Sequence, residues 1–243
     1  MSDERRVALV TGAASGIGAA IAARLERDNW DVLGADIQGD VDVRADLTTR
    51  AGNRDAVAAA HARFGRLDAV IANAGFQHVA PIEEFPEDRW DAIVALLLTS
   101  PFLLARYAWP HLVESGSGRF VAIASIHGLV ASPYKAAYVS AKHGVIGLIR
   151  TLALEGADHG ISATAVCPAY VRTPLVESQI ADQARAHGLP EERVLEEVIL
   201  ASQPVKRLIE PDEVASAVAY LLSPDGRAFT GAPVIMDQGW SAR

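Results

Sequence analysis

Tyr138 and Lys142 are four residues apart in a stretch of helical character, so their side chains project from one face of the predicted helix. A free tyrosine has a pKa of about 10 and is a poor acid or base at neutral pH. A neighbouring ammonium stabilises the phenolate, so the pair predicts a general base for alcohol oxidation and a general acid for ketone reduction. Ser125, thirteen residues before Tyr138, can orient the substrate oxygen. The spacing alone also fits a solvated helix face.

A glycine-rich segment, Thr11–Gly18, lies between the first predicted strand and the first predicted helix. Glycines here permit a tight turn and close approach of the backbone to a pyrophosphate, and the helix N-terminus adds amide donors. The spacing GxxxGxG departs from the strict GxGxxG fingerprint, and glycines also serve ordinary turns. The strand–turn–helix context favours a dinucleotide site. Its candidate contacts are Thr11, Gly12, Ser15, Gly16, Ile17 and Gly18.

Asp36 closes the second predicted strand, 18 residues after Gly18. A carboxylate at this point can accept hydrogen bonds from both adenosine-ribose hydroxyls and repels a 2′-phosphate. We expect no arginine beside it, which favours NAD over NADP; the alternative is a solvated turn aspartate. Asp46 and Leu47 follow the third strand at the level expected for an adenine ring, an assignment that depends on topology alone.

Strands and helices alternate along the chain, which predicts one α/β domain over residues 1–243. We expect a doubly wound, Rossmann-like parallel sheet of seven strands with helices on both faces. The predicted strands are 7–10, 32–35, 41–45, 68–72, 119–124, 162–167 and 232–236. The predicted helices are 16–28, 48–64, 86–114, 134–158 and 211–222, the second capped by Thr48.

Two connections depart from regular alternation. Asp36 and Asp46 are only ten residues apart, too few for a crossover helix, so this connection is predicted to be a loop. Residues 174–204 form a long, mostly helical excursion where the carboxyl ends of the strands open a crevice. This excursion is predicted to be a substrate-binding lid.

Composition limits the partners. With a formal net charge of −8, the chain is not expected to bind nucleic acid or anionic membranes. The single cysteine, Cys167, can form neither an intrachain disulfide nor a structural metal site, and no metal is expected. Met1–Arg6 contains no signal-peptide core, and the apolar stretch Ala92–Ala105 is taken as too short to span a bilayer. A cytoplasmic location is therefore expected.

These motifs resemble the short-chain dehydrogenase/reductase family over the whole chain. The resemblance is carried by Thr11–Gly18, Asn73-Ala74-Gly75, Ser125, Tyr138 and Lys142. It implies NAD(P) binding, hydride transfer at the nicotinamide and, in most members, a homotetramer. The further cofactor contacts that it implies are Asn73, Ala74, Gly75, Tyr138, Lys142, Pro168, Val171 and Thr173.

Within the family, segments 76–82, 125–132 and 173–180 are similar to members that interconvert (R)-3-hydroxybutyrate and acetoacetate. The substrate-binding residues implied by this resemblance are Gln77, His127, Lys135, Tyr170, Gln179 and Trp240. A cation beside amide and imidazole donors suits a small carboxylate, although each residue alone also fits a polar surface position.

Two positions depart from the family pattern. The family's catalytic asparagine, which helps the lysine relay protons, falls at Leu97, whose side chain can neither donate nor accept. Tyr170 stands where the pocket usually has tryptophan. Two alternatives stay open: a dehydrogenase for another small hydroxy acid or a secondary alcohol, and a non-catalytic NAD-binding regulatory protein. Only Leu97 favours the regulatory protein.

Overall fold

A seven-stranded, entirely parallel sheet forms the centre of the molecule, in the strand order β3-β2-β1-β4-β5-β6-β7. The computed structural model describes residues 5–177, 180, 184 and 189–242. The strands are β1 (Val7–Thr11), β2 (Asp31–Asp36), β3 (Val43–Arg44), β4 (Ala69–Ala72), β5 (Arg119–Ile123), β6 (Ser162–Pro168) and β7 (Pro233–Met236). The predicted doubly wound sheet is confirmed, with the order reversing between β1 and β4.

Helices cover both faces of the sheet. They are α1 (Gly16–Arg27), α2 (Arg50–Phe64), α3 (Glu87–Val94), α4 (Ser100–Glu114), α5 (Ala136–Gly156), α6 (Glu191–Val194) and α7 (Pro211–Leu222). Short 3₁₀ turns cover Ile82–Glu84, Ile126–Gly128, Ala157–His159 and Asp225–Phe229, and π turns cover Ala95–Thr99 and Leu195–Ile199. Helices α2, α4 and α5 share one hydrophobic cluster with the sheet, while α1 and α7 share the other.

The apolar run of β1 shows why the sequence forms a sheet buried on both faces. Leu9 belongs to the cluster under α2, α4 and α5, whereas its neighbour Val10 belongs to the cluster under α1 and α7. Successive strand side chains point to opposite faces, so a parallel strand covered by helices on both sides is apolar throughout.

Several predicted boundaries were wrong. The third strand has two residues rather than 41–45, and Thr49, not Thr48, caps α2 by accepting a hydrogen bond from the Gly52 N–H at 3.0 Å. Helix α5 begins at Ala136, because Tyr134 has a φ of 66° that is incompatible with a right-handed helix. Lys135 therefore lies just before the helix. As predicted, residues 37–42 join β2 to β3 without a helix.

The predicted helix 86–114 contains an unpredicted π turn, Ala95–Thr99, between α3 and α4. The run Glu87–Glu114 has 28 residues and a mean hydropathy of 1.5 in its most apolar window, so by length and composition it could cross a membrane. The apolar stretch Ala92–Ala105 is only part of this helix, and a buried core helix passes the same test of length and composition. Leu104 and Leu112 are buried in the core, which accounts for the apolarity of α4.

The lid prediction falls on a segment that is only partly described. Residues 174–177 are helical, and α6 with its following π turn covers Glu191–Ile199. Val176, Val194 and Leu208 pack together in a separate small cluster. Gln179 lies outside the described residues, and lid closure stays a prediction.

Candidate active site

A cleft of about 430 Å³ opens at the carboxyl ends of the strands, where the strand order reverses. Of the predicted cofactor residues, the cleft is lined by Gly12, Ser15, Gly16, Ile17, Asp36, Asp46, Leu47, Asn73, Ala74, Gly75, Tyr138, Lys142, Pro168, Val171 and Thr173. Thr11 and Gly18 contact residues of this lining, Thr11 through its hydrogen bonds with Asn73 and Gly18 through its close approach to Gly12.

The glycine loop is fastened to the turn that follows β4. Asn73 Nδ2 donates to the Thr11 carbonyl at 2.8 Å, and the Thr11 hydroxyl accepts from the Asn73 N–H at 2.9 Å. Gly12 has a φ of 67°, and a Cβ there would lie 2.7 Å from Asn73 Nδ2. The close approach of these two segments therefore requires glycine at position 12.

The start of α1 provides donors to the cleft. Gly16 has a φ of 55°, and the Ser15 side chain makes no capping hydrogen bond. The first N–H groups of a helix lack intrahelical partners and carry the positive end of the helix dipole. A Cβ on Gly16 would lie 3.1 Å from Thr173 Cγ2, so this wall of the cleft is kept open by the missing side chain. The arrangement fits the pyrophosphate of a dinucleotide.

Asp36 lies at the far end of the cleft. Its Oδ2 accepts from the Ala14 N–H at 3.1 Å and its Oδ1 from the Gln38 N–H at 3.2 Å, so the carboxylate is oriented by the backbone. The expectation that no arginine lies beside it was wrong. Arg44 is the register partner of Asp36 on β3, and its Nη2 donates to the Gly39 carbonyl at 3.3 Å.

Asp46 and Leu47 form the opposite wall at this end. Asp46 Oδ1 accepts from the Thr48 N–H at 2.9 Å, and the buried Asn53 Nδ2 donates to the Leu47 carbonyl at 2.8 Å. Ser100 Oγ donates to Asn53 Oδ1 at 2.6 Å, which ties this wall to α4. Asp46 and Leu47, predicted to lie at the level of an adenine ring, are therefore held in place by these hydrogen bonds.

Lys142 is buried at the base of the cleft. Its Nζ donates to the Ile123 carbonyl at 2.7 Å and lies 5.5 Å from the centre of the Tyr138 ring. Burial lowers the pKa of Lys142 to about 8. The spacing of four residues on α5 therefore places the two side chains together, as predicted.

The protonation of Tyr138 differs from the expectation. Burial raises the pKa of Tyr138, although a hydrogen bond with the Ser125 side chain acts in the opposite direction. In the protein alone, loss of solvent around the phenolate outweighs the effect of this hydrogen bond. Ser125 lies two residues after β5, is buried, and lines the cleft together with Tyr138, where its hydroxyl could contact a substrate oxygen.

Leu97 lies in the π turn and faces the cleft. Its side chain is 2% exposed and packs with Ile93 and Ala141. Its Cδ2 would lie 2.8 Å from a Cβ placed on Gly75. The position predicted for the family's asparagine is therefore an apolar part of the wall near Lys142.

A smaller chamber of about 50 Å³ continues from the cleft. It is lined by Gln77, Ser125, His127, Lys135, Tyr138, Ala169, Tyr170, Leu175 and Val176. The structure thus brings four of the predicted substrate residues together. Leu175 and Val176 were not predicted as site residues, because apolar residues at the start of the predicted lid carry no distinctive sequence signal.

His127 forms the rear of the chamber. Its Nε2 lies 2.9 Å from Ser132 Oγ, and its Nδ1 lies 3.5 Å from Ser125 Oγ. Burial, together with the charge of Lys135, lowers the pKa of His127 to about 3, so the imidazole is neutral. Both ring nitrogens contact hydroxyl groups, and a direct bond from His127 to substrate stays a prediction.

Lys135 is the cation of the chamber and is 4% exposed. Its Nζ donates to the Tyr170 hydroxyl at 3.2 Å, and burial lowers its pKa to about 8. Trp240 stacks on Tyr170, with ring centres 5.9 Å apart and planes at 19°, and so supports the chamber from outside.

Comparisons with known proteins agree with this geometry. A family model described as enoyl-(acyl carrier protein) reductase matches residues 12–241. The chain is 43% identical to a D-beta-hydroxybutyrate dehydrogenase of Rhizobium meliloti, over 98% of this chain and 99% of that protein. It is 40% identical to a D-beta-hydroxybutyrate dehydrogenase of Cupriavidus necator, over 98% of each. The solved structure of levodione reductase superposes with a TM-score of 0.90 at 32% identity, over 98% of each chain.

Proposed function

We propose a specific reaction for this chain, which belongs to the short-chain dehydrogenase/reductase family of oxidoreductases: the NAD-dependent interconversion of (R)-3-hydroxybutyrate and acetoacetate. The names of the two bacterial relatives support this substrate, and both relatives match the chain over nearly its full length. The small chamber beside Tyr138 and Ser125 supports a short hydroxy acid.

The burial of the Lys135 ammonium in the chamber is the observation that carries the proposal. Burying an ammonium is costly unless an anion accompanies it. No carboxylate among the described residues forms an ion pair with Lys135, and the ammonium donates its hydrogen bond to a neutral phenol. A substrate carboxylate in the chamber would provide the missing charge. The same contact would place the 3-hydroxyl of a four-carbon acid toward Tyr138 and Ser125.

In the proposed reaction, proton transfer, substrate orientation and charge stabilisation are carried out by different side chains. The nicotinamide ring, when bound, supplies the hydride acceptor and a positive charge that favours the Tyr138 phenolate. In alcohol oxidation Tyr138 Oη takes the hydroxyl proton, and Ser125 Oγ orients the oxygen that loses it. Lys142, held by the Ile123 carbonyl, keeps a positive charge beside Tyr138. In ketone reduction the same groups return the proton.

Several further features belong to the proposal. We infer NAD rather than NADP because the Asp36 carboxylate is fixed at the cleft rim. We also infer a single catalytic domain over residues 1–243 with a lid at 174–204, a homotetramer and a cytoplasmic location. Exposed apolar side chains such as Phe102 on α4 and Leu154 on α5 support subunit contacts.

The test is an NAD-coupled assay of (R)-3-hydroxybutyrate, its enantiomer, longer 3-hydroxy acids and the neutral amide of the same acid. We expect the (R)-acid to give the highest kcat/KM, and Lys135→Ala to reduce it at least about tenfold. Lys206→Ala removes a lysine outside the site and is the matched control. Equal activity on the neutral amide would instead favour a secondary-alcohol dehydrogenase. NADH binding without turnover of any substrate would favour a regulatory protein.

A further inference from the structure

Tyr170 holds Lys135 through its hydroxyl. The Nζ of Lys135 lies 3.2 Å from the Tyr170 oxygen but 5.2 Å from the ring centre, so the contact is a hydrogen bond at the edge of the ring. Lys135 precedes α5 and Tyr170 follows β6, so this bond joins two walls of the chamber.

The Tyr170 hydroxyl has one hydrogen to donate after it has accepted the bond from the ammonium. Burial raises the pKa of Tyr170 to about 12, so the hydroxyl keeps this hydrogen at neutral pH. In the described part of the chain, the bond from Lys135 is the one hydrogen bond formed by this hydroxyl. The donor is therefore available to a ligand in the chamber.

The ring of Tyr170 is fixed from behind by the C-terminal segment. Trp240 stacks on it at 5.9 Å, and the turn that carries Trp240 is closed by Asp237. The Asp237 carboxylate accepts from the Gly239 N–H at 3.0 Å and from the Ser241 N–H at 2.6 Å. Stacking limits rotation of the Tyr170 ring, so the hydroxyl stays at one place in the chamber.

We propose that Tyr170 determines specificity for the acid, donating its hydroxyl hydrogen to the substrate carboxylate while its oxygen orients the Lys135 ammonium. The carboxylate would then be held by a neutral and a charged donor that are already bonded to each other. This inference rests on the proposed function, because it requires a carboxylate in the chamber. Hydrogen bonds to charged groups are the stronger kind, so the phenol contributes to discrimination between acid and amide.

The test is Tyr170→Phe, which removes the hydroxyl and keeps the ring that Trp240 stacks on. We expect kcat/KM for (R)-3-hydroxybutyrate to fall about tenfold or more, mainly through KM, and kcat/KM for its neutral amide to change less than about threefold. Tyr220→Phe, at a 49% exposed tyrosine on α7, is the control and should change neither value. In a Lys135→Ala background, the loss caused by Tyr170→Phe should shrink, because the two donors act as a pair.

An acid-to-amide ratio that is the same in Tyr170→Phe and in the unaltered enzyme would overturn the inference and leave the proposed function standing. Where such an unchanged ratio comes from an equal loss on both substrates, the role of Tyr170 is structural. If the unaltered enzyme itself shows no preference for the acid, both the proposed function and this inference fail.

Discussion

Asp36 on β2 and Arg44 on β3 are register partners in the parallel sheet, so the residue next to the cleft-lining Asp36 on the neighbouring strand carries a guanidinium. Asp36 is oriented by the N–H groups of Ala14 and Gln38, whereas Arg44 donates to the Gly39 carbonyl rather than to Asp36. The carboxylate therefore faces the cleft without an ion pair to Arg44. The proposed preference for NAD over NADP can therefore be tested by changing these two residues.

Asp36→Ser should raise kcat/KM with NADP by about tenfold or more, since one like charge near the 2′-phosphate is removed. Arg44 should then become a phosphate partner, so adding Arg44→Ala to Asp36→Ser should cancel most of the gain. Arg44→Ala alone should leave kcat/KM with NAD nearly unchanged. Steady-state kinetics with both cofactors measure these values. Comparable efficiency with NAD and NADP in the unaltered enzyme would contradict the role given to Asp36.

Tyr138→Phe should lower kcat by about 10²-fold to 10⁴-fold, because it removes the hydroxyl proposed to exchange a proton with the substrate oxygen. Binding of NADH, followed by fluorescence titration, should change little, since the ring remains in the wall of the cleft. Tyr134→Phe is a matched control at a 54% exposed tyrosine four residues away and should retain full activity. Substantial turnover by Tyr138→Phe would disprove the proton-transfer role.

The architecture could be predicted from the sequence because its signals are local. The run 7–10 is apolar at every position, which is typical of a strand buried on both faces of a sheet. The glycines of Thr11–Gly18 follow this run directly. The spacing of Tyr138 and Lys142 also needed only the helical period. Features of this kind depend on residues that are close together in the sequence, so they can be predicted from a single sequence.

The unpredicted features depend on residues that are distant in sequence. Arg44 lies beside Asp36 through strand register, and counting across the short connection between β2 and β3 could have found this pairing. The raised pKa of Tyr138 reflects burial by several elements, which the spacing of residues does not encode. The π turn around Leu97 has no distinctive residue type, and its position is visible only in the backbone.

Binding of the acid should weaken at alkaline pH. Burial lowers the pKa of Lys135 to about 8, so the ammonium is present below pH 8 and is lost as the pH rises through this value. KM for (R)-3-hydroxybutyrate should therefore rise above about pH 8, while KM for the neutral amide should not. The ratio of the two values cancels the titration of Lys142, which affects both substrates.

Other titratable groups facing Lys135 do not account for such a change. The pKa of His127 is lowered to about 3 and that of Tyr170 is raised to about 12, both by burial in the first place. Burial also raises the pKa of Tyr138, the third group at the chamber. In Lys135→Gln, the acid-to-amide ratio should lose its pH dependence. A ratio that stays constant between pH 7 and pH 9 in the unaltered enzyme would count against Lys135 as the carboxylate partner.

Asn53 should be important for stability because, from a fully buried position, it holds the Leu47 carbonyl in the wall of the cleft. Its Nδ2 donates to the carbonyls of Leu47 and Thr49 at 2.8 and 2.7 Å, and its Oδ1 accepts from Ser100 Oγ at 2.6 Å. Asn53→Ala removes all three bonds, so the Leu47 carbonyl and the Ser100 hydroxyl lose this partner, whereas the Thr49 carbonyl keeps the bond from the Asn53 N–H at 3.3 Å. We expect the free energy of unfolding to fall by about 2–4 kcal/mol.

Ser100→Ala is the matched control, since it removes one of the three bonds and should cost only about 1 kcal/mol. Urea unfolding followed by circular dichroism measures both losses. Because the Leu47 carbonyl is released, Asn53→Ala should also weaken NADH binding, whereas Ser100→Ala should weaken it less. Equal losses of stability in the two variants would show that the bonds from Asn53 to the Leu47 and Thr49 carbonyls contribute little. The wall of the cleft at Leu47 would then be held by the packing of the Leu47 side chain instead.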